Sequence, residues 1–250
     1  DNQFFDGVIS DLRIYNTVLS AAQIQELFDT PETLLPSGVS ASALQWHTPL
    51  CDFDTDTTDD NIDGKIVFNQ GATRTTQLYY PGLVMTGGEM LTQQPNCPQL
   101  GLTSSTSRCL MNGSDTLMTV TAATAINQIY HSAPGGSIAF WCFAFSMGEG
   151  SSGRLQGASN SPRILIDNQS GNNAKLSWYF AWDSSTASYK TAATDFPLKQ
   201  WVHVVFTYDG SDAANDPICY INGSAKTLTK TGTNSGTLGH DQSNKLFGAS

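Results

Sequence analysis

Glutamate is scarce in this chain: four residues (Glu26, Glu32, Glu89, Glu149) are spread across 250 positions. No acid and base pair therefore announces itself along the sequence, although two Asp carboxylates could still meet in space. Basic residues are also few, 12 against 22 acidic ones, giving a formal charge of −10 and a pI near 4.6. That balance argues against nucleic acid and anionic membrane as partners. None of the five cysteines forms a C-x-x-C pair, which disfavours a zinc or iron–sulfur framework. No apolar run is long enough to cross a bilayer as a helix, so membrane insertion is not expected. The chain starts without Met or a signal-like segment, and is expected to be a processed product, a fragment or a window on something longer.

Thr, Ser, Gly, Asn and Asp are plentiful, the composition of a turn-rich β protein. Strand patterns recur at SIAFWCFAF (137–145), PRILIDN (162–168), KLSWYFAW (175–182), WVHVVFTYDG (201–210) and PICYINGSAK (217–226), each closed by turn residues. The fold class expected is all-β, a two-sheet antiparallel jelly-roll sandwich with one short helix near residues 20–28. That helix has a full start signal: Ser20 as cap, Gln23 completing an S-x-x-Q box, and Leu19 with Ile24 at staple spacing. The strand before it sets Val8, Ser10, Leu12 and Ile14 against Ile9, Asp11, Arg13 and Tyr15 by simple alternation. TPETLLPSG then reads as a linker.

Several of these pieces together resemble a family. GGSIAFWCFAF followed by WVHVVFTYDGSDAANDPICYING is similar to the laminin-G-like jelly roll of the concanavalin A-like class. CLMNGSDTLMTV (109–120) is similar to that family's early strand, and residues 49–73 resemble its opening strand and turn. FFDGVISDLRIYNTVLSAAQIQELF, at 4–28, is similar to its closing strand and helix. The resemblance therefore implies a permuted order, because the closing piece comes first. KLFGAS read into DNQFFDGV also restores the family's usual approach to that strand. The division expected is 1–30 as a closing strand and helix that completes a neighbouring copy, 31–45 as linker, and 46–250 as a jelly roll lacking its closing strand. A tandem array, a polymer by strand addition, a circular permutant and a fragment across a domain junction all stay open. An open jelly roll exposes sheet edge and core, so something must supply the strand. Phe5, Leu12, Ile14, Tyr15 and Ile24 are the coupling residues this implies, with identical or similar copies as partners.

The other candidates compete with plainer readings. Asp59, Asn61 and Asp63, ahead of Gly64, match the first half of a calcium loop, making calcium the one cofactor considered. Position twelve is Gln70 rather than Glu, and an Asp/Asn/Gly turn serves equally well as a solvated bend. Asn112, Asn168 and Asn222 stand in N-x-[ST] sequons and support an extracellular, glycosylated chain. Cys97 with Cys109 brackets a polar loop, Cys142 with Cys219 would join two strands, and Cys51 is left over. Trp178, Tyr179 and Trp182 could stack on a glycan, but in a sandwich about half of such rings point inward. The E-x-D-x-x-E pattern of glucanases of this general fold is absent, and His203 fits a structural role, so no enzyme is expected. The function expected is a structural repeat or subunit of an extracellular filament or surface array. The alternative is the carbohydrate-binding module of a secreted hydrolase or adhesin.

Overall fold

The structure is a computed structural model, and it describes residues 5–31, 33–48, 83–86, 89–91, 108–112, 117–120, 130, 135–148, 152–157, 162–182, 185–236 and 245–247. The chain begins with β1 (Asp6–Tyr15), α1 (Ala21–Asp29), a 3-10 turn (Ala41–Ala43) and β2 (Leu44–Thr48). Short strands follow: β3 (Leu83–Thr86), β4 (Glu89–Leu91), β5 (Arg108–Asn112) and β6 (Leu117–Val120). The long core strands are β7 (Gly136–Ala144), β8 (Ser152–Gly157), β9 (Arg163–Ser170) and β10 (Asn173–Ala181). Next are β11 (Thr186–Lys190), β12 (Phe196–Pro197), β13 (Trp201–Tyr208) and β14 (Ile218–Ile221). β15 (Ser224–Lys226), β16 (Thr229–Gly232) and β17 (Lys245–Phe247) complete the described elements.

Two antiparallel sheets face each other. One runs β15-β14-β13-β7-β1-β5-β4, with β2 attached to β1; the other runs β16-β11-β10-β9-β8-β17-β6-β3, with β12 attached to β10. Their inner faces follow from alternation. Ile138, Phe140, Cys142 and Ala144 of β7 meet Val202, Val204, Phe206 and Tyr208 of β13, and Leu176, Trp178 and Phe180 of β10, in one buried core. β7 and β13 read as near-continuous apolar runs because their other face is covered too. α1 lays Ile24 and Leu27 over Ala139, Val205 and Tyr220 in a second buried cluster with Tyr15, Leu19 and Leu44.

Local signals act where the sequence places them. Gln23 N donates to Ser20 Oγ at 3.4 Å while Ser20 N donates to Gln23 Oε1 at 2.9 Å, closing the capping box. Asn222 and Gly223 both take positive φ, 50° and 75°, and turn β14 into β15 as a two-residue hairpin. β1 departs from simple alternation. Asp11 has φ 51° and the ladder to β7 slips between Ser10 and Arg13, so Ile9, Leu12 and Ile14 share the core face. The extra residue of the bulge corrects the pattern expected from the sequence, which put Ile9 opposite Leu12 and Ile14.

Candidate functional site

The N-terminal strand is the inserted centre of a sheet. β1 pairs antiparallel with β7 on one side, Ile9 facing Cys142 and Ile14 facing Ile138, and with β5 on the other, where Ile9 faces Cys109. Near its C-terminal end it pairs with β2, Ile14 facing Trp46. The strand expected to complete a neighbouring copy here lies in the sheet of its own chain. Phe5, Leu12 and Ile14 enter the sandwich core, and Tyr15 and Ile24 the cluster under α1, each at most 2% exposed.

The outer face of β1 carries a buried polar cluster that the sequence reading did not single out. Arg13 donates from Nε to Asp11 Oδ1 at 3.0 Å, and its Nη2 lies 2.5 Å from Oδ2, a two-pronged ion pair. The same guanidinium donates to the Thr33 carbonyl at 2.5 Å and to the Pro31 carbonyl. His47 of β2 sets Nε2 2.8 Å from Asp11 Oδ1. Tyr15 donates its hydroxyl to the Leu34 carbonyl at 2.8 Å, and Asn16 N donates to the Ala43 carbonyl at 2.9 Å. The segment from 31 to 48 is thus held directly against β1. The bulge makes this possible: it turns Asp11 and Arg13 to one side, and Asp is among the few side chains that accept the left-handed region.

Burial sets the electrostatics. Removal from water pushes the Asp11 carboxyl up, but the Arg13 guanidinium and the His47 contact outweigh it and hold Asp11 below its ordinary value. The Tyr15 hydroxyl is pushed up to about 12, chiefly by burial. His203, on β13, is lowered to about 3 by burial and then by Arg13, and so carries a neutral imidazole. Its ring lies 6.2 Å from Phe28 and 5.1 Å from Trp141, packed between α1 and the sheet. Asp11, Arg13, His47 and His203 are each no more than 3% exposed, and the contacts of the first three tie β1 to the segment that follows α1 and to β2. The signal in the sequence was Asp-x-Arg inside a strand otherwise suited to a core.

The remaining candidates are dispersed. Trp178 and Trp182 are 0% and 5% exposed and belong to the core, which corrects their reading as glycan-stacking rings: alternation along β10 sends the even positions inward. Tyr179 alone of the three faces outward, half-buried, with the Arg163 guanidinium 5.6 Å and Lys190 Nζ 5.7 Å from its ring centre. Cys142 and Cys219 are free thiols, which corrects the expected bridge. They face Val202 and Phe206 on opposite sides of β13. A whole strand separates them, roughly 10 Å at two strand spacings, and they are offset along it by the four residues from Val202 to Phe206, about 13 Å more in the strand direction, too far for a disulfide. Burial pushes both thiols up. Cys109 lies in β5, whereas Cys97 and the calcium-loop candidates Asp59, Asn61 and Asp63 lie outside the described residues. Asn112 ends β5 opposite Asp6. Asn168 is exposed at a positive-φ position, and Asn222 uses its side-chain oxygen to accept from His203 N at 2.9 Å. Among the described residues no group of three or more His, Cys, Asp or Glu could hold a metal ion. Among them, too, no helix is long and apolar enough to cross a membrane.

Comparison with known families bears on this architecture directly. A laminin-G family model, described as the concanavalin A-like lectin/glucanases superfamily, matches residues 113–250, more than half the chain. The chain belongs to this concanavalin A-like superfamily. The matched stretch holds β6 to β17, the bulk of a concanavalin A-like sandwich, and the β1–α1–β2 segment lies before it. No curated protein and no solved structure matches the chain.

Proposed function

We propose that the chain is a non-catalytic structural subunit of an extracellular assembly, in which the N-terminal segment couples neighbouring copies. The observation that carries this reading is the position of β1. It is a central strand between β7 and β5, it brings Leu12 and Ile14 to the core, and it precedes the stretch that the family model matches. A slot filled by a strand outside the matched stretch in one chain is filled by the same strand of another without any new contact, which is the logic of strand addition and domain swapping. Such a joint resists pulling, because two backbone ladders and the buried side chains must be lost together. The extracellular setting is supported by the three sequons and by the superfamily. The scarcity of Glu and the burial of His47 and His203 support a non-enzymatic role.

Static light scattering over a concentration series, with electron microscopy of the concentrated sample, tests the reading. Oligomers or filaments that grow with concentration are expected, and a monomer at every concentration overturns it. A second reading, carbohydrate binding, is favoured by Tyr179 with its two flanking cations, which would suit a carboxylated or sulfated sugar. Binding on a glycan array that disappears with Tyr179→Ala would support it.

A further inference from the structure

We infer that the outer face of β8–β11 is a binding strip for an acidic polysaccharide, in which Arg163 takes the sulfate or carboxylate group and Asp167 restrains the site by occupying Lys190. This rests on the carbohydrate reading above and moves recognition from the Tyr179 ring to the charge beside it.

The strip is an exception in an acidic chain. Acidic residues outnumber basic ones 22 to 12 overall, yet β8–β11 hold Arg154, Arg163, Lys175 and Lys190 against one carboxylate, Asp167. Register places them all on one face. Arg163 faces Tyr179, Asp167 faces Lys175, and Leu165 and Ser177 link Arg154 to Lys190 across the four strands. Residues opposed in a ladder share a face, so this one is turned away from Ile164, Leu176 and Trp178 of the core. At the usual strand spacing the strip spans roughly 14 Å, longer than a single sugar ring. β16 extends it with exposed Thr229 and Thr231, opposite Lys190 and Ser188, whose hydroxyls can both donate to and accept from those of a sugar.

The cations differ in how far they are already committed. Lys190 Nζ donates to Asp167 Oδ2 at 2.8 Å, and Ser177 Oγ donates to the same oxygen at 3.0 Å. The bond to Asp167 raises Lys190 above its ordinary value and leaves its charge matched. Arg163 is exposed, and among the described residues no carboxylate pairs with it. Arg154, on the neighbouring strand β8, is lowered first by burial and then by the Arg163 charge. An incoming oxyanion therefore relieves a like-charge contact while it takes the fork of the Arg163 guanidinium. Tyr179 has little face to offer a sugar, because Arg163 and Lys190 lie over its ring at 5.6 Å and 5.7 Å from the centre. The ring positions Arg163 instead. One exposed ion pair holds a ligand weakly, so useful affinity needs a chain that repeats the charge.

Biolayer interferometry on the full-length chain tests this with immobilised dextran sulfate, hyaluronan, neutral dextran and polyglutamate. Binding to dextran sulfate, to hyaluronan or to both is expected, weakening as salt rises, with none to dextran. Arg163→Ala should lower that affinity about tenfold, and Arg163→Lys should restore part of it. Asp167→Asn, which releases Lys190, should raise it about threefold, a gain that misfolding cannot produce. Circular dichroism confirms the fold of each variant. Acidic binding unchanged in Arg163→Ala, or equal binding to dextran and its sulfate, would overturn the strip and leave the carbohydrate reading standing. Polyglutamate held as tightly as the acidic polysaccharides would make the partner a peptide and overturn the saccharide. No binding to either acidic polysaccharide overturns the strip, and a glycan array that is also blank overturns the carbohydrate reading with it.

Discussion

Two aspartates each gather polar partners, yet they sit in opposite settings. Asp11 is 2% exposed and binds Arg13 by two prongs and His47 by a third contact. Asp216, on the loop before β14, accepts from Tyr189 at 2.9 Å, Lys230 at 2.7 Å and Asn234 at 3.0 Å, with its side chain 54% exposed. The number of contacts is alike, but water is available to one carboxylate and not to the other. When a partner of Asp216 is lost, solvent replaces it. Losing Arg13 leaves a carboxylate, and a set of linker carbonyls, inside the protein. The buried cluster should therefore decide whether the N-terminal unit stays folded, and the exposed one should matter little.

Arg13→Met is the strongest test of that contrast. It should destabilise the fold by about 3–5 kcal/mol, the usual cost of breaking a buried pair by removing one member. Pairing it with Asp11→Asn, which tolerates the positive φ, should recover part of the loss. Denaturant midpoints measure both, and a single-variant cost below about 1 kcal/mol would erase the distinction between the two aspartates.

An intermediate effect concerns His203 beside the cluster. The unfolded chain takes up a proton there below the ordinary imidazole value of about 6.5, while the folded chain does not until about pH 3. The folded state therefore loses stability as pH falls through that window, by up to roughly 1.4 kcal/mol per pH unit. The Asp11 contribution has the opposite origin and the same direction. Its folded value lies below 3.8, so the stability it adds is present above 3.8 and is lost as pH falls through that lower value. Urea melts from pH 7 to pH 4 should show the decline, and His203→Gln should flatten it. An unchanged slope in that variant would assign the acid sensitivity elsewhere.

The smallest effect is expected at Asp216→Ala, about 0–1 kcal/mol in thermal or denaturant melts, and less at high salt. A loss as large as that of Arg13→Met would mean that the Tyr189 hydroxyl, at the edge of the core, depends on Asp216 for more than a surface contact.

Much of the architecture was legible in the chain. The strands over 137–145, 162–168, 175–182 and 201–210 appear within a few residues of where alternation and turn chemistry put them. The Ser20 box and the Asn222-Gly223 hairpin form as written, because each depends only on residues next to it. The site was less legible. Trp178, Tyr179 and Trp182 have the same local pattern whether a face is buried or open, and only the opposing sheet decides which rings are enclosed. Cys142 and Cys219 look like a cross-strand pair until β13 is found between them.

The sequence by itself determined the class of fold, the capped helix, the tight hairpin, and the apolar strands that need two covered faces, since these follow from periodicity and local hydrogen bonding. Tertiary structure alone decided that β1 lies between β7 and β5, that the bulge at Asp11 turns Arg13 toward the linker, and that His47 closes the cluster from β2. Those outcomes join residues 18 to 137 positions apart, and the energy of a buried ion pair or a filled slot exists only once all the parts that exclude water are in place.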